Sequence, residues 1–272
     1  MGRRRNSPVN VLFGWVRRQS VKVKVGLMVM GMLFSLIALK LLVKDHSHFF
    51  VASEAIHAAG IMVLIYKLTT QNTCSGLSLK SQELTALFLA VRLYCSFVME
   101  NDIHTVLDFA TLVSTLWVIY MIRVKLNSTY IKELDSLPLY YVVIPCAVLA
   151  VFIHPFSYYM KINRLLWAFT VFLESVSVLP QLRLMQNAKM VEPFTAHYVF
   201  ALGVARFLGC AHWLIRIYDT RGRYVLLAGS GYIWVPMIFL AEIVQTFILA
   251  DFCYYYQDGR GTNREAVFTR NG

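Results

Sequence analysis

Long apolar stretches separated by short polar connectors recur along almost the entire chain. Most hold roughly 20 residues, the length that an α-helix needs to cross about 30 Å of hydrocarbon. The pattern predicts an all-α membrane protein with eight transmembrane helices, at Lys24–Val43, Phe49–Leu68, Glu83–Met99, Thr105–Val124, Tyr140–His154, Leu165–Leu184, His197–Ile217 and Ile233–Tyr256. The fifth of these stretches is short for a span.

Composition agrees with this pattern. The chain is 58% hydrophobic and 15% charged, with a mean hydropathy of +0.57. Soluble domains average about 45–50% apolar and about 25% charged residues. The first apolar stretch follows a long basic leader and has no small-residue cleavage site before Lys44, so we expect a retained helix rather than a cleaved signal peptide.

The net charge of +11 is distributed unevenly along the predicted topology. With both termini in the cytosol, 17 of the 26 basic residues fall on the cytosolic side and 6 on the opposite side. This asymmetry is the positive-inside pattern. Topology therefore accounts for the basic character, and we expect no nucleic-acid partner.

The sequence offers no catalytic or metal-binding motif. Its five cysteines lack CxxC spacing, and most of them lie in apolar segments, which is typical of buried structural thiols. Walker, GxSxG and HExxH patterns do not occur. We therefore predict a protein that is not an enzyme and that uses no metal or cofactor.

Two parts of the chain repeat one spacing. The intervals Lys67–Arg92 and Gln181–Arg206 each cover 25 residues and each contain a polar loop followed by a span with an arginine near its middle. A hydroxyl residue, Ser81 or Thr195, precedes each arginine by 11 positions. The spacing indicates a duplicated three-helix unit with a linking helix. Repeats of this kind place a binding site near the membrane midplane.

Ionisable residues inside spans are rare and mark candidate sites. Seven lie within or near the predicted spans: His57, Arg92, Glu174, Arg206, Arg216, Glu242 and Asp251. Glu174 can neutralise one of the three arginines, so positive charge remains for an anion, most simply a carboxylate gripped bidentately. The alternative is that Glu174–Arg206 and Glu242–Arg92 are buried ion pairs that fix helix register without a ligand.

Aromatic residues near these charges have two readings each. Trp167 and Trp213 either line the predicted cavity or belong to the interfacial aromatic belt. His57 is a core histidine by default, and near a glutamate it becomes a candidate sensor of mildly acidic pH.

From about His57 to Tyr256 the chain resembles the ER lumen protein-retaining receptor, or KDEL receptor, family. The motifs that carry the resemblance are CSGLSLKSQ (74–82), LESVSVLPQL (173–182), AHYVFALG (196–203), HW (212–213) and IVQTFILADFCYYY (243–256). The PQ pair at 180–181 also resembles the PQ-loop and SWEET transporters, which share the fold. The resemblance implies a seven-helix core of two three-helix bundles with a linking helix.

The resemblance also suggests a division of the chain. Residues 1–48 form a basic cytosolic segment with an extra transmembrane helix, as in the receptor-related proteins of plants. Residues 49–257 form the receptor-like domain, and residues 258–272 form a cytosolic tail.

In this family, lumenal proteins ending in KDEL or HDEL are captured in the acidic Golgi and returned to the endoplasmic reticulum. The resemblance implies a cavity open to the lumen, in ER and Golgi membranes, with the C-terminal peptide as partner beside membrane lipids and vesicle coat proteins. By motif position it implies ligand-binding roles for Arg92, Arg206, Arg216, Trp167, Glu174 and Trp213, and pH sensing by His57 with Glu174.

Several positions depart from the family pattern. Phe50 replaces an arginine, and Cys95 and Arg164 replace acids that face the basic or histidine residue at the start of the signal. Ala205 and Gly209 replace tyrosines. The tail carries none of the lysines that recruit coat proteins in the family. We therefore predict a signal preference shifted away from lysine or histidine at the fourth residue from the end.

Two other functions remain open from the sequence. A PQ-loop transporter would move a small anionic solute through the same cavity. A membrane interaction protein would retain the fold after losing the ligand.

Overall fold

The computed structural model describes residues 47–99, 103–156, 159–188, 192–222 and 233–250. Within these ranges the chain folds into helices and turns, with no β-strand. The α-helices are α1 Ser47–Tyr66, α2 Leu79–Met99, α3 Ile103–Tyr120, α4 Tyr140–Phe152, α5 Lys161–Val176, α6 Leu179–Asn187, α7 Pro193–Asp219 and α8 Trp234–Ala250. The predicted span Lys24–Val43, Asp251 and the tail lie outside the described residues.

Three of the described stretches are long and apolar enough to cross a membrane: Thr105–Lys125, Lys161–Asn187 and Pro193–Asp219. Tyr140–Phe152 and Trp234–Ala250 are shorter apolar helices. The prediction of a helical protein with membrane-spanning segments is thus confirmed, and the count of eight spans stays a prediction.

The predicted span Leu165–Leu184 is divided by a turn between α5 and α6. The backbone N–H and the hydroxyl of Ser177 both donate to the carbonyl of Glu174, at 3.3 and 2.9 Å. Pro180 follows at the start of α6, where its missing N–H costs no helical hydrogen bond. The apolar stretch therefore continues to Asn187 with an interruption next to Glu174.

Two clusters of buried apolar side chains form the core. The first joins the end of α1 to the end of α3, to α6 and to the start of α7, and includes Leu64, Val118, Leu182 and Val199. The second joins α2, α4, α5 and α8, and includes Leu89, Cys146, Leu173 and Trp234. Because α2 packs against both α3 and α5, it holds the arginine at position 92 between them.

Polar residues cap the first turns of α2 and α7. The Ser78 hydroxyl accepts a hydrogen bond from the backbone N–H of Ser81 at 3.1 Å. A carboxylate oxygen of Glu192 accepts from the backbone N–H of Thr195 at 2.8 Å. Such caps satisfy N–H groups that lack partners within the helix. Ser78 and Glu192 are 114 positions apart, and so are Arg92 and Arg206.

Two side chains hold these caps, one from the residue that follows α1 and one from the first turn of α6. The Lys67 ammonium, fully buried just after α1, donates to Glu192 at 2.8 Å and to the Thr195 hydroxyl at 2.6 Å. The Gln181 side-chain oxygen accepts from the backbone N–H of Ser78 at 2.8 Å. Lys67 and Gln181, the first residues of the two 25-residue intervals, thus each contact the start of the helix in the other interval.

These contacts change the acidity of Glu192. Burial by itself would raise the pKa of the carboxyl, but hydrogen bonds from Lys67 and Thr195 outweigh it and lower the pKa below its ordinary value. Glu192 therefore remains a carboxylate under mildly acidic conditions.

A buried carboxylate also fixes the loop before α4. Asp135 accepts hydrogen bonds from the Ser78 hydroxyl at 2.8 Å, from the backbone N–H of Lys80 at 3.1 Å and from the Tyr130 hydroxyl at 2.7 Å. Burial and the contact with Asp135 raise the pKa of Tyr130, so its hydroxyl stays a donor. The N-terminus of α2 is therefore rigidly supported.

Candidate ligand-binding site

Arg92 projects from α2 between two carboxylates. Its Nε and Nη2 donate to the two oxygens of Asp108 on α3, at 2.9 and 2.6 Å. Its Nη1 donates to Oε2 of Glu174 on α5 at 2.8 Å. The guanidinium also lies 5.3 Å from the ring centre of Phe88, one turn earlier on α2. A bidentate pair with a second carboxylate on the remaining nitrogen is a strong and geometrically specific arrangement.

Glu174 joins the two arginines that share the repeated spacing. Its Oε1 lies 2.5 Å from Nη2 of Arg206 on α7, while its Oε2 is taken by Arg92. The Arg206 side chain is 28% exposed. The turn after α5 begins at the Glu174 carbonyl, so this carboxylate sits where the helix ends its regular hydrogen bonding.

The structure thus brings together Arg92, Glu174 and Arg206 from the set selected by sequence. The contact of Glu174 with Arg206 agrees with the sequence analysis. The proposed pair Glu242–Arg92 is wrong, because Arg92 is paired with Asp108 and Glu174. Glu242 on α8 lies within electrostatic range of Arg206, Glu174 and Arg92 but, within the part of the chain that the structure describes, forms no ion pair with Arg92.

Asp108 was missing from the sequence-based set of intramembrane charges. The sequence does indicate Asp108 as a candidate, because it is an acid within the apolar stretch Thr105–Lys125. Helix α3 begins at Ile103, four positions after the end of α2, and packs against α2, which brings Asp108 beside Arg92. With Asp108 included, Arg92 and Arg206 face Asp108 and Glu174, so these four charges balance. The predicted surplus of positive charge then depends on Arg216, whose side chain lies outside the described residues.

The two selected tryptophans lie on the helices that carry the charges. Trp167 on α5 precedes Glu174 by seven positions, hence on nearly the same face, and packs partly buried against the second apolar cluster. Trp213 on α7 follows Arg206 by seven positions and is also partly buried. Both tryptophans therefore lie about two turns from the charged cluster on its lumenal side in the predicted topology.

His57 on α1 lies within electrostatic range of Arg206, Glu174 and Arg92. It also lines a small cavity whose walls combine polar and apolar side chains, among the latter Ile61, Leu64 and Val118. The other lining residues include Gln82, Thr85, Thr111, Ser114, Thr115 and Tyr198. His57 thus lies between the charged cluster and this cavity.

Small residues let α1 approach α7 closely beside the site. The Ser53 hydroxyl donates to the backbone oxygen of Ala205 at 2.7 Å. A Cβ on Gly60 would lie 3.0 Å from the Cβ of Ala201, while a Cβ on Gly209 would lie 3.8 Å from the Ser53 hydroxyl. At Ala205 and Gly209, where the family resemblance implies tyrosines, α1 therefore lies close to the backbone of α7.

Comparison with known proteins gives a consistent result. A model of the ER lumen protein retaining receptor family matches residues 73–216. An ER lumen protein-retaining receptor of Caenorhabditis elegans is 34% identical over 210 residues, which cover 76% of this chain and 92% of that protein. ER lumen protein-retaining receptor B of Arabidopsis thaliana is 35% identical over 213 residues, covering 76% and 92%. The Drosophila melanogaster receptor is 34% identical over 210 residues, covering 75% and 91%.

Proposed function

The chain belongs to the ER lumen protein-retaining receptor family, and we propose that it binds the C-terminal retention signals of lumenal proteins. The observation that carries the proposal is the linked cluster Arg92–Glu174–Arg206 between α2, α5 and α7. Guanidinium groups match a carboxylate in shape and charge. A peptide C-terminus is the carboxylate that every such signal presents.

Arg206 is the arginine best suited to accept this carboxylate. A guanidinium carries five N–H donors, and Glu174 contacts only one of its terminal nitrogens here. The side chain is also partly exposed, so an incoming carboxylate can reach it. In the proposed site Arg92 and Arg216 assist Arg206, Trp167 and Trp213 line the cavity, and His57 with Glu174 responds to pH.

The proposed setting follows from the family and the apolar helices. The protein would lie in ER and Golgi membranes with both termini in the cytosol, and would return captured proteins from the Golgi to the ER. Membrane lipids and vesicle coat proteins would be its other partners. The two bundles of three helices would enclose the cavity from the lumenal side.

Binding of short peptides to the purified protein tests the proposal. Peptides ending in HDEL, KDEL and variants are titrated by calorimetry at pH 5.5 and 7. We expect measurable binding that is stronger at pH 5.5 and that differs among the peptides. Equal weak binding of all peptides at both pH values would refute the receptor function.

A matched pair of variants locates the binding site. Arg206→Gln removes the proposed partner of the peptide carboxylate, and we expect at least a tenfold loss of affinity, about 1.4 kcal/mol. Arg123→Gln removes an exposed arginine that pairs with Glu83, and it should leave binding unchanged. Equal effects of the two substitutions would argue against a site at Arg206.

The preference for the fourth residue from the peptide end is a separate part of the proposal. The Cys95 thiol is buried and lies 3.9 Å from the backbone oxygen of Asn163, the neighbour of Arg164. The two positions that lack the family's acids are therefore close together. Arg164 adds positive charge to this part of the receptor. We therefore expect peptides with lysine at the fourth residue from the end to bind more weakly than peptides with a neutral side chain at that residue.

A further inference from the structure

The nitrogens of Arg92 are already engaged by the protein's own carboxylates. Asp108 takes the edge formed by Nε and Nη2 with two hydrogen bonds, and Glu174 takes Nη1. A bidentate carboxylate needs one such edge of the guanidinium. A peptide carboxylate can therefore grip Arg92 in the same way only if it displaces Asp108 or Glu174.

Asp108 and Glu174 differ in what their displacement would leave behind. Glu174 also contacts Arg206, so it would keep a cationic partner after leaving Arg92. Asp108 contacts Arg92 alone among the ion pairs of the described residues. Asp108 is 15% exposed, so its carboxylate is largely shielded from solvent in this arrangement. The contact between Asp108 and Arg92 therefore determines how readily a peptide carboxylate can bind the Arg92 guanidinium.

We propose that Asp108 is an internal competitor that occupies Arg92 and lowers the affinity of the site for peptide carboxylates. The inference rests on the proposed function and adds a residue that determines affinity within the same site. Asp108 acts by holding the fork of Arg92 through two hydrogen bonds. A peptide that engages Arg92 must exchange one carboxylate for another, so Arg92 contributes less affinity while Asp108 is present than it would with its Nε/Nη2 edge open.

The direct test is the Asp108→Asn variant, which retains the size of the side chain and removes its charge. We expect a peptide ending in HDEL with a free carboxylate to bind at least tenfold more tightly than to the native protein. The same peptide with an amidated C-terminus should gain nothing, because it offers no carboxylate to Arg92. A merely structural role for Asp108 would weaken binding instead.

Glu83→Gln is the matched control, since Glu83 is also an acid paired with an arginine between α2 and α3. Its partner Arg123 lies at the opposite end of these helices, beyond reach of the site. We expect the control to bind the peptide as the native protein does. An equal gain in the control would show that loss of negative charge anywhere strengthens binding, and would overturn the inference.

A double variant covers the case in which Asp108→Asn does not fold. Arg92→Gln with Asp108→Asn removes both partners, which is better tolerated than leaving one buried charge alone. We expect it to bind the HDEL peptide no more tightly than the native protein does, because Asp108 acts only through Arg92. A gain of tenfold or more in the double variant would show that Asp108 weakens binding without Arg92, and would overturn the inference.

The outcomes separate this inference from the proposed function. Native binding without a gain in Asp108→Asn overturns the inference alone. Absence of binding in the native protein and in all variants overturns both.

Discussion

Replacing Lys67 by methionine would remove the charge that joins the end of α1 to the start of α7. The Lys67 side chain is fully buried and donates three hydrogen bonds, to the Ser75 carbonyl, the Thr195 hydroxyl and the Glu192 carboxylate. Methionine retains the length of the apolar stem, so the substitution leaves no large cavity. The expected effect therefore comes from the charge and its hydrogen bonds.

The magnitude follows from what remains around the missing ammonium. Removing one partner of a buried ion pair costs about 3–5 kcal/mol. Here the lower end applies, because the Glu192 side chain is 22% exposed and keeps the hydrogen bonds from the N-terminus of α7. We expect a loss of about 3 kcal/mol in the free energy of unfolding. For a domain of about 150–250 residues this corresponds to a fall in Tm of roughly 6–12 °C.

Thermal unfolding of the purified protein in detergent measures this change. Lys132→Met is the control, because Lys132 is an exposed lysine in the loop between α3 and α4. We expect the control to unfold within about 1 °C of the native protein. If Lys67→Met unfolded at the same temperature as the control, the contact of Lys67 with Glu192 would not join α1 to α7, and the reasoning would fail.

Two further predictions concern the same pair of helices. The lowered pKa of Glu192 means that its contact with Lys67 stabilises the fold fully above the ordinary carboxyl pKa of about 4.5, and that this contribution is lost as the pH falls through the lowered value. A double-mutant cycle of Lys67→Met and Glu192→Gln should therefore give the same coupling energy at pH 7.5 and 5.5 and a smaller one at pH 3.5. A coupling energy that grew on acidification would contradict this sign. The free energy of unfolding of Gly60→Ala should be lower than that of Gly209→Ala by about 1–3 kcal/mol, because only the first substitution places a methyl group 3.0 Å from the Cβ of Ala201. Thermal unfolding measures the difference, and equal stability of the two variants would show that α1 and α7 are not closely packed at that point.

Part of the site could be predicted from the sequence because charges within apolar stretches are few. The 25-residue spacing selected Arg92 and Arg206 as related residues, and Glu174 was the acid expected to neutralise an arginine. The structure places all three in one chain of contacts. The motifs were also sufficient to identify the family.

The partner of Arg92 could not be chosen correctly from spacing alone. Helices α3 and α8 each carry an acid, and only the packing of α2 against α3 decides that Asp108 rather than Glu242 reaches Arg92. Intramembrane acids should therefore be paired only after helix neighbours are known.

The burial of Lys67 could not be predicted from the sequence. Its position at the end of a predicted span placed it among the cytosolic charges, where lysines are normally solvated. The structure buries it completely against Glu192, 125 residues away in sequence. Such a long-range contact leaves no local pattern, although the repeated spacing points to position 67 as equivalent to position 181.

The most direct test of the account compares one peptide in two chemical forms. A peptide ending in HDEL is titrated into the native protein at pH 5.5 with its C-terminus either free or amidated, and the free form is repeated with Arg206→Gln. The account predicts binding of the free acid, at least tenfold weaker binding of the amide, and a similar loss in the variant. Equal binding of the acid and the amide, unchanged by Arg206→Gln, would contradict the claim that the proposed site at Arg206 recognises a C-terminal carboxylate.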